Sequence, residues 1–249
     1  MAGHSKWSTI KHKKGAADAA RGKLFAKLLR QVEVAAREGG GDPDMNPTLR
    51  TMYQKARDAS VPLDTIERAI KRGTGELEGV SYEQVTYEGY GPGGVAVMVD
   101  ALTDNRNRTG AEVRSIFTKH GGSMAEPGAV AWQFERKGVV LVDRSVEEDD
   151  LMLVALDAGA EDIADDGEAW RVTTGPTDLH AVRSALEEAG IAVTSSDLAM
   201  VPTSTVAIDE AEAARKVLKL VDALDDNDDV QDVYGNFDIP DDVLEAIEA

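Results

Sequence analysis

The spacing of apolar residues changes at Tyr82, and the change divides the chain into a helical segment and an α/β remainder. Ahead of it, Leu24, Phe25, Leu28, Leu29, Val32 and Ala36 recur three and four positions apart. That period puts them on one helical face, so a helix is predicted from Asp18 to Arg37, stopped by Gly39 to Gly41. Asn46-Pro47 marks a second start, with Asn as the cap and Pro pre-set for the first turn. Leu49, Met52, Tyr53 and Ala56 supply its stripe. A third helix opens at Ser60 and Pro62, carries Leu63, Ile66 and Ile70, and ends at Gly73. Three short amphipathic helices joined by turns predict a small bundle.

Beyond Tyr82, Gln84–Tyr90 and Val95–Ala101 read as strands around the turn Gly91-Pro92-Gly93-Gly94. Thr109-Gly110-Ala111-Glu112 reads as a capping box ahead of Val113, Ile116 and Phe117, and Val130–Phe134 as a further strand. Residues 139–201 spell strand, helix, strand, strand, helix, strand, with a hairpin across Asp166-Gly167; that order is the split β-α-β arrangement. Thr205–Ile208, a helix after Asp209 and Val230–Phe237 follow. The expected fold class is α+β: an N-terminal three-helix bundle plus two ferredoxin-like α/β domains, the third inserted into the second. The expected boundaries are a basic segment 1–17, the bundle 18–78, a discontinuous α/β domain 79–137 plus 203–240, an inserted domain 138–202 and a tail 241–249.

Several kinds of chemistry lack their residues. The chain has no cysteine, which removes disulfides, thiolate metal sites and cysteine nucleophiles together and fits a reducing compartment. No run approaches about 18 apolar residues, so no membrane span is expected, and the charged start has no apolar stretch behind it to act as a secretory signal. Gly22-Lys23 lacks the rest of a phosphate-binding loop, and no His-Glu-x-x-His occurs. Of the four histidines, His120 and His180 are singletons. The run Asp225-Asp226-Asn227-Asp228-Asp229 imitates half a calcium loop, but Val230 stands where Gly is needed and Asn236 where Glu is needed. A solvated helix end is the reading for that run. The expectation is a cytoplasmic, non-enzymatic protein with no cofactor, no metal and no small-molecule substrate.

The charge distribution indicates a partner. The net charge is −19. Residues 1–75 nevertheless hold fifteen Lys or Arg against eight Asp or Glu, while the remainder holds twelve against thirty-eight. Screening confines a charge's influence to about 8 Å at physiological salt, so a basic patch acts independently of a distant acidic body. In Lys6-Trp7-Ser8-Thr9-Ile10-Lys11-His12-Lys13-Lys14 the crowded cations repel one another until phosphates neutralise them, with release of counterions. Trp7 can stack on an unpaired base. Arg21, Lys23, Lys27 and Arg30 continue the charge, the last three sharing a helical face. The competing reading is a solubilising tail lying on the protein's own acidic body. The third helix ends in Arg68, Lys71 and Arg72, which suits phosphate contact better than base readout.

These residues also carry a resemblance. Ala2-Gly3-His4-Ser5-Lys6-Trp7 with Ile10-Lys11-His12-Lys13-Lys14, Lys23-Leu24-Phe25-Ala26-Lys27-Leu28, Tyr87-Glu88-Gly89-Tyr90-Gly91-Pro92-Gly93-Gly94, Thr103-Asp104-Asn105-Arg106-Asn107-Arg108-Thr109 and Gly121-Gly122-Ser123-Met124 resemble the YebC/PmpR family along essentially the whole chain. The resemblance implies three domains, one helical and two α/β. It also implies regulation of gene expression: members are described as transcriptional regulators of promoter DNA. Others, including a mitochondrial relative that activates translation, act at the ribosome and relieve stalling.

The leading expectation is a nucleic-acid-binding, DNA-directed transcriptional regulatory protein. The alternatives are a ribosome-associated translation factor contacting ribosomal RNA, and an acidic protein-interaction module. Expected contacts are Lys6, Trp7, Lys11, His12, Lys13, Lys14, Arg21, Lys23, Lys27 and Arg30. Secondary contacts are expected from Asn105, Arg106, Asn107 and Arg108, in a polar strand-to-helix loop, and from Gly121, Gly122, Ser123 and Met124, in a long adaptable loop with an exposed Met.

Overall fold

The computed structural model describes residues 18–167 and 169–248. Lys6, Trp7, Lys11, His12, Lys13 and Lys14 therefore lie outside the described residues. The described chain is a mixed α/β protein with antiparallel four-stranded sheets. It divides into two compact units, one of residues 18–79 with 136–199 and one of residues 80–135 with 200–248. The 18–78 and 138–202 segments, expected as separate domains, thus fall largely within one unit.

In the first of these units, α1 (Asp18–Gly39), α2 (Pro47–Asp58) and α3 (Leu63–Gly73) enclose a core of Leu28, Val32, Leu49, Ala56, Ile66 and Ala69. Asn46 caps α2 as its position predicts, accepting from the Leu49 N–H at 3.0 Å. Gly73 ends α3, and it has a second role. A Cβ there would strike the Glu33 carbonyl, so only glycine permits this approach of α3 to α1. The same unit contains most of β4 (Phe134–Asp143), α5 (Glu148–Asp157), β5 (Ala160–Asp165), β6 (Ala169–Thr174), α6 (Leu179–Glu188) and most of β7 (Val193–Pro202). Their sheet has the order β5-β6-β4-β7, so β6 lies between the two strands that α5 connects. Val140, Val142, Leu151, Trp170, Val172 and Leu186 fill the core beneath it.

In the other unit, β1 (Glu83–Tyr90) and β2 (Ala96–Thr103) form a hairpin, with Gly93 and Gly94 at φ 75° and 78° in its turn. The sheet order is β3-β1-β2-β9, where β3 is Ser123–Met124 and β9 is Val230–Gly235. β2 is paired on both edges and almost wholly buried, which explains its near-continuous apolar sequence. Helices α4 (Arg106–Lys119) and α7 (Ala211–Asp225) pack against this sheet and against each other. α8 (Asp241–Glu248) follows the short pair β8 (Val206–Ala207) and β10 (Phe237–Asp238).

Four local expectations are corrected. Val130–Phe134 is not a strand of this sheet: Ala131–Gln133 forms a 3₁₀ turn, and Phe134 begins β4. The cause is Glu88, whose buried carboxylate accepts the N–H groups of Gly128, Val130 and Ala131 at 2.6, 2.7 and 2.9 Å, taking donors that a strand would pair. Thr205–Ile208 contributes only β8, which pairs parallel with β10 outside the four-stranded sheet. There, the Val206 N–H donates to the Asn236 carbonyl while Asn236 also bonds Ala96, so the chain leaves the main sheet after Gly235. The capping box at Thr109 does not start a helix, because α4 begins three residues earlier. Finally, Gly121 to Met124 is not a free loop, since Ser123 and Met124 pair with Tyr90 and Gly89. None of the helices among the described residues is long and apolar enough to cross a membrane.

Candidate nucleic-acid interface

Two groups of expected contact residues are described, one in each unit. On α1, Arg21 and Lys23 are exposed and Lys27 and Arg30 are half-buried. Lys23, Lys27 and Arg30 already take part in interactions within the molecule. These three cations are thus engaged along one helix, and the apolar residues Leu28 and Val32 of the same helix face the core.

The second group centres on the start of α4. Asn105 is its cap: its side chain accepts from the Arg108 N–H at 3.1 Å, and its own N–H donates to the Thr103 hydroxyl at 2.9 Å. Thr109 is buried one turn into the helix and donates to Asp229 Oδ2 at 2.6 Å, with Thr103 Oγ1 2.7 Å away. Asp229 also receives the Arg108 guanidinium at 2.6 Å, which reaches Asp104 at 3.0 Å. Hydrogen bonding to Asp229, then its charge, raises the Arg108 pKa above the ordinary arginine value. Asp229, expected in a solvated acidic run, is therefore buried and ties α4 to the start of β9.

This clamp separates two arginines that look equivalent in sequence. Arg108 is committed to carboxylates. Arg106 and Asn107 instead face an open depression of about 800 Å³, lined also by Tyr87, Arg114, Lys119 and Met124. Gly121, at φ 77°, reverses the chain after α4, and Met124 comes back to line the depression. A Cβ on Gly122 would meet the Tyr90 carbonyl at 2.6 Å, so that glycine allows β3 to close on β1. The structure thus brings Arg106, Asn107 and Met124 together and assigns Asn105, Arg108, Gly121 and Gly122 to the framework behind them. Tyr87, Arg114 and Lys119 escape a reading that starts the helix at Thr109. With Asn105 as cap, Arg106, Gly110 and Arg114 fall at intervals of four, and the stripe becomes readable.

Comparison with known proteins gives these features a family. Residues 5–76 match the family model described as the TACO1/YebC protein N-terminal domain, and residues 82–237 match the one described as the TACO1/YebC second and third domain. A protein of Halothermothrix orenii named probable transcriptional regulatory protein is 57% identical over 250 residues, covering 99% of both chains. One of Rubrobacter xylanophilus bearing the same name is 60% identical over 249 residues, again with 99% of each chain covered. Among solved structures, the conserved hypothetical protein Aq1575 of Aquifex aeolicus superposes with a TM-score of 0.85 at 51% identity, covering 93% of this chain and 96% of that one. With both family models matched in sequence order and relatives aligned end to end, the chain belongs to the TACO1/YebC family.

Proposed function

We propose that this protein is a non-enzymatic regulator of gene expression that binds nucleic acid through its basic N-terminal segment and the cationic face of α1. In this reading it works in the cytoplasm. In the same reading, segments 79–137 with 203–240 and 138–202 are two ferredoxin-like bodies that carry the acidic charge. The observation that carries the proposal is the segregation of charge: fifteen basic residues against eight acidic in residues 1–75, followed by twelve against thirty-eight. An acidic body repels a polyanion, so it orients the basic end toward the phosphates. The names of the relatives, probable transcriptional regulatory protein, favour promoter DNA as the partner.

A second reading, contact with ribosomal RNA, is favoured by one observation on α3. If the bundle acted as a helix-turn-helix, this would be the helix that reads bases. Its Arg68 is paired with Asp64 at 2.8 Å and its Arg72 with Glu33 at 2.9 Å. Arginines already engaged by carboxylates are poorly placed to read base edges in a major groove.

The test is a salt titration of the full chain on duplex DNA and on structured RNA. Each neutralised phosphate should contribute a slope of about −0.9 on duplex DNA or about −0.7 on single strands in log affinity against log salt. Changing Lys11, Lys13 and Lys14 together to Glu should abolish duplex binding and leave the thermal melt unchanged. Undiminished affinity in that variant would end the proposal. Sedimentation of lysate separates the two readings, because the ribosomal one requires salt-sensitive comigration with ribosomes and the promoter one requires nuclease-sensitive comigration with DNA.

A further inference from the structure

We propose that the depression beside α4 is a second nucleic-acid site, one that takes a single strand, with an unstacked base against Tyr87 and the flanking phosphates on Arg106, Arg114 and Lys119. It shares its ligand class with the function proposed above, but it uses other residues on another part of the chain.

Charge is the first argument. Residues 80–135 and 200–249 hold seven Lys or Arg against twenty-one Asp or Glu, and four of the seven sit on α4. Arg108 is held by carboxylates. Arg106, Arg114 and Lys119 are exposed, and among the described residues none of the three is ion-paired to a carboxylate. The only acidic residue of α4, Glu112, is turned toward Arg108 and Asn227. A site with three open cations inside a strongly acidic segment is selective for anions by contrast with its surroundings.

Shape is the second argument. Arg106 and Arg114 are eight residues apart, about 12 Å along the helix axis. That gives a track of charge and not a cup for one small anion. Between them stands Gly110, where an added Cβ would lie 3.6 Å from the Tyr87 ring, so the ring rests against the helix at this point and lines the depression between the two arginines. Tyr87 is half-buried, and its hydroxyl donates to the Arg106 carbonyl at 3.3 Å, which ties the ring to the helix. A ring already fixed loses little entropy when a base stacks on it. The Asp229 clamp on Thr109 and Arg108 holds the helix start in the same way.

These features distinguish a single strand from a duplex. A paired base is stacked on both faces and offers no ring surface to Tyr87, whereas an unpaired base can turn its face to that ring while its phosphates follow the helix. The depression is open along its length, unlike the enclosed pockets that bury small metabolites.

The experiment uses the full chain and fluorescein-labelled 12-nucleotide RNA, single-stranded DNA of the same sequence, and the corresponding DNA duplex, followed by anisotropy. Arg106→Gln, Arg114→Gln and Lys119→Gln combined should weaken single-strand binding at least tenfold and make the salt slope shallower by about 2. Duplex affinity should change less than threefold. Tyr87→Ala should also cost about tenfold on single strands, at unchanged salt slope, because stacking releases no counterions. Tyr87→Phe, which keeps the ring, should bind nearly as the parent does. The exposed triple change carries the test if Tyr87→Ala lowers stability. Single-strand affinity unaltered in the triple variant overturns the proposal, as does an equal loss on single strand and duplex. The Lys11, Lys13 and Lys14 variant, run in parallel, tests the basic segment alone, so failure of one site is distinguishable from failure of the other.

Discussion

Glu88 and Asp229 are two carboxylates among the forty-six acidic residues of the chain, yet each is buried and organises backbone or side chains from distant positions. Burial by itself would raise the Glu88 pKa. The N–H groups of Gly128, Val130 and Ala131 outweigh it and hold the carboxyl below the ordinary glutamate range. Glu88→Gln removes the charge that strengthens these bonds and brings an NH₂ group into a cluster of donors. A loss of about 2 kcal/mol is expected. The sign of the pH dependence follows from the depressed folded pKa. The contribution is complete above the unfolded pKa, about 4.3, and fades as pH falls through the lower folded value. The Tm difference between parent and Glu88→Gln should therefore be constant from pH 6 to 8 and shrink on acidification below about 4. Melts in which the difference persists undiminished down to pH 2 would refute this account.

Helix ends connect neighbouring elements through single side chains. Asn46 accepts from Leu49 at the start of α2, and its Nδ2 donates to the carbonyls of Ala35 and Gly40 at the end of α1, both at 2.8 Å. One buried amide thus bonds a free donor at the start of one helix and carbonyls at the end of another. Asn46→Ala should cost about 2–3 kcal/mol, the cap plus carbonyls left without a donor. Asn46→Asp keeps the cap acceptor but turns a carboxylate oxygen toward the two carbonyls, so it should cost at least as much as the alanine variant. Denaturant titration reads both, and a cost under about 0.5 kcal/mol for the alanine variant would contradict the role given to Asn46.

Within the unit of residues 18–79 and 136–199, a buried ion pair joins α2 to α6. Arg183 donates to both carboxylate oxygens of Asp58, at 2.7 and 3.0 Å, and also to Ser196 at 2.6 Å and Glu187 at 2.9 Å. A second pair, Lys55 with Asp197, links α2 to β7. Burial acts to lower the Arg183 pKa, but Asp58 and then Glu187 raise it above the ordinary value. Asp58→Ala would leave the buried guanidinium with only Glu187 and Ser196 and should destabilise by about 2–3 kcal/mol, whereas Asp58→Ala combined with Arg183→Leu should cost less than the single change. Strict additivity in that double-mutant cycle would show that the pair does not join these segments. If it does, helices α1 to α3 and the β4–β7 sheet unfold in one transition, which denaturation followed by a probe in each segment would reveal.

Elements governed by near neighbours in the chain are legible without coordinates. The apolar stripes of α1 to α3, the Asn46 cap, the stop at Gly73, the hairpin at Asp166-Gly167 and the element order over 138–202 all follow from contacts spanning a few residues. The misread positions are those where a side chain from far away competes for the same groups. Glu88 takes the amides of residues 128–131 from forty positions off, and a predicted strand becomes a turn. Asp229 takes the Thr109 hydroxyl from 120 positions off, the cap passes to Asn105, and the helix gains a turn. That extra turn aligns Arg106 with Arg114 and sets both beside Tyr87 of another strand. Local propensities differ by about 1 kcal/mol or less, while a buried charged acceptor contributes more than that, so long-range partners decide such positions. The basic segment can be read from composition alone because charge density needs no fold. The α4 depression exists only once β1, α4 and β3 have been brought together.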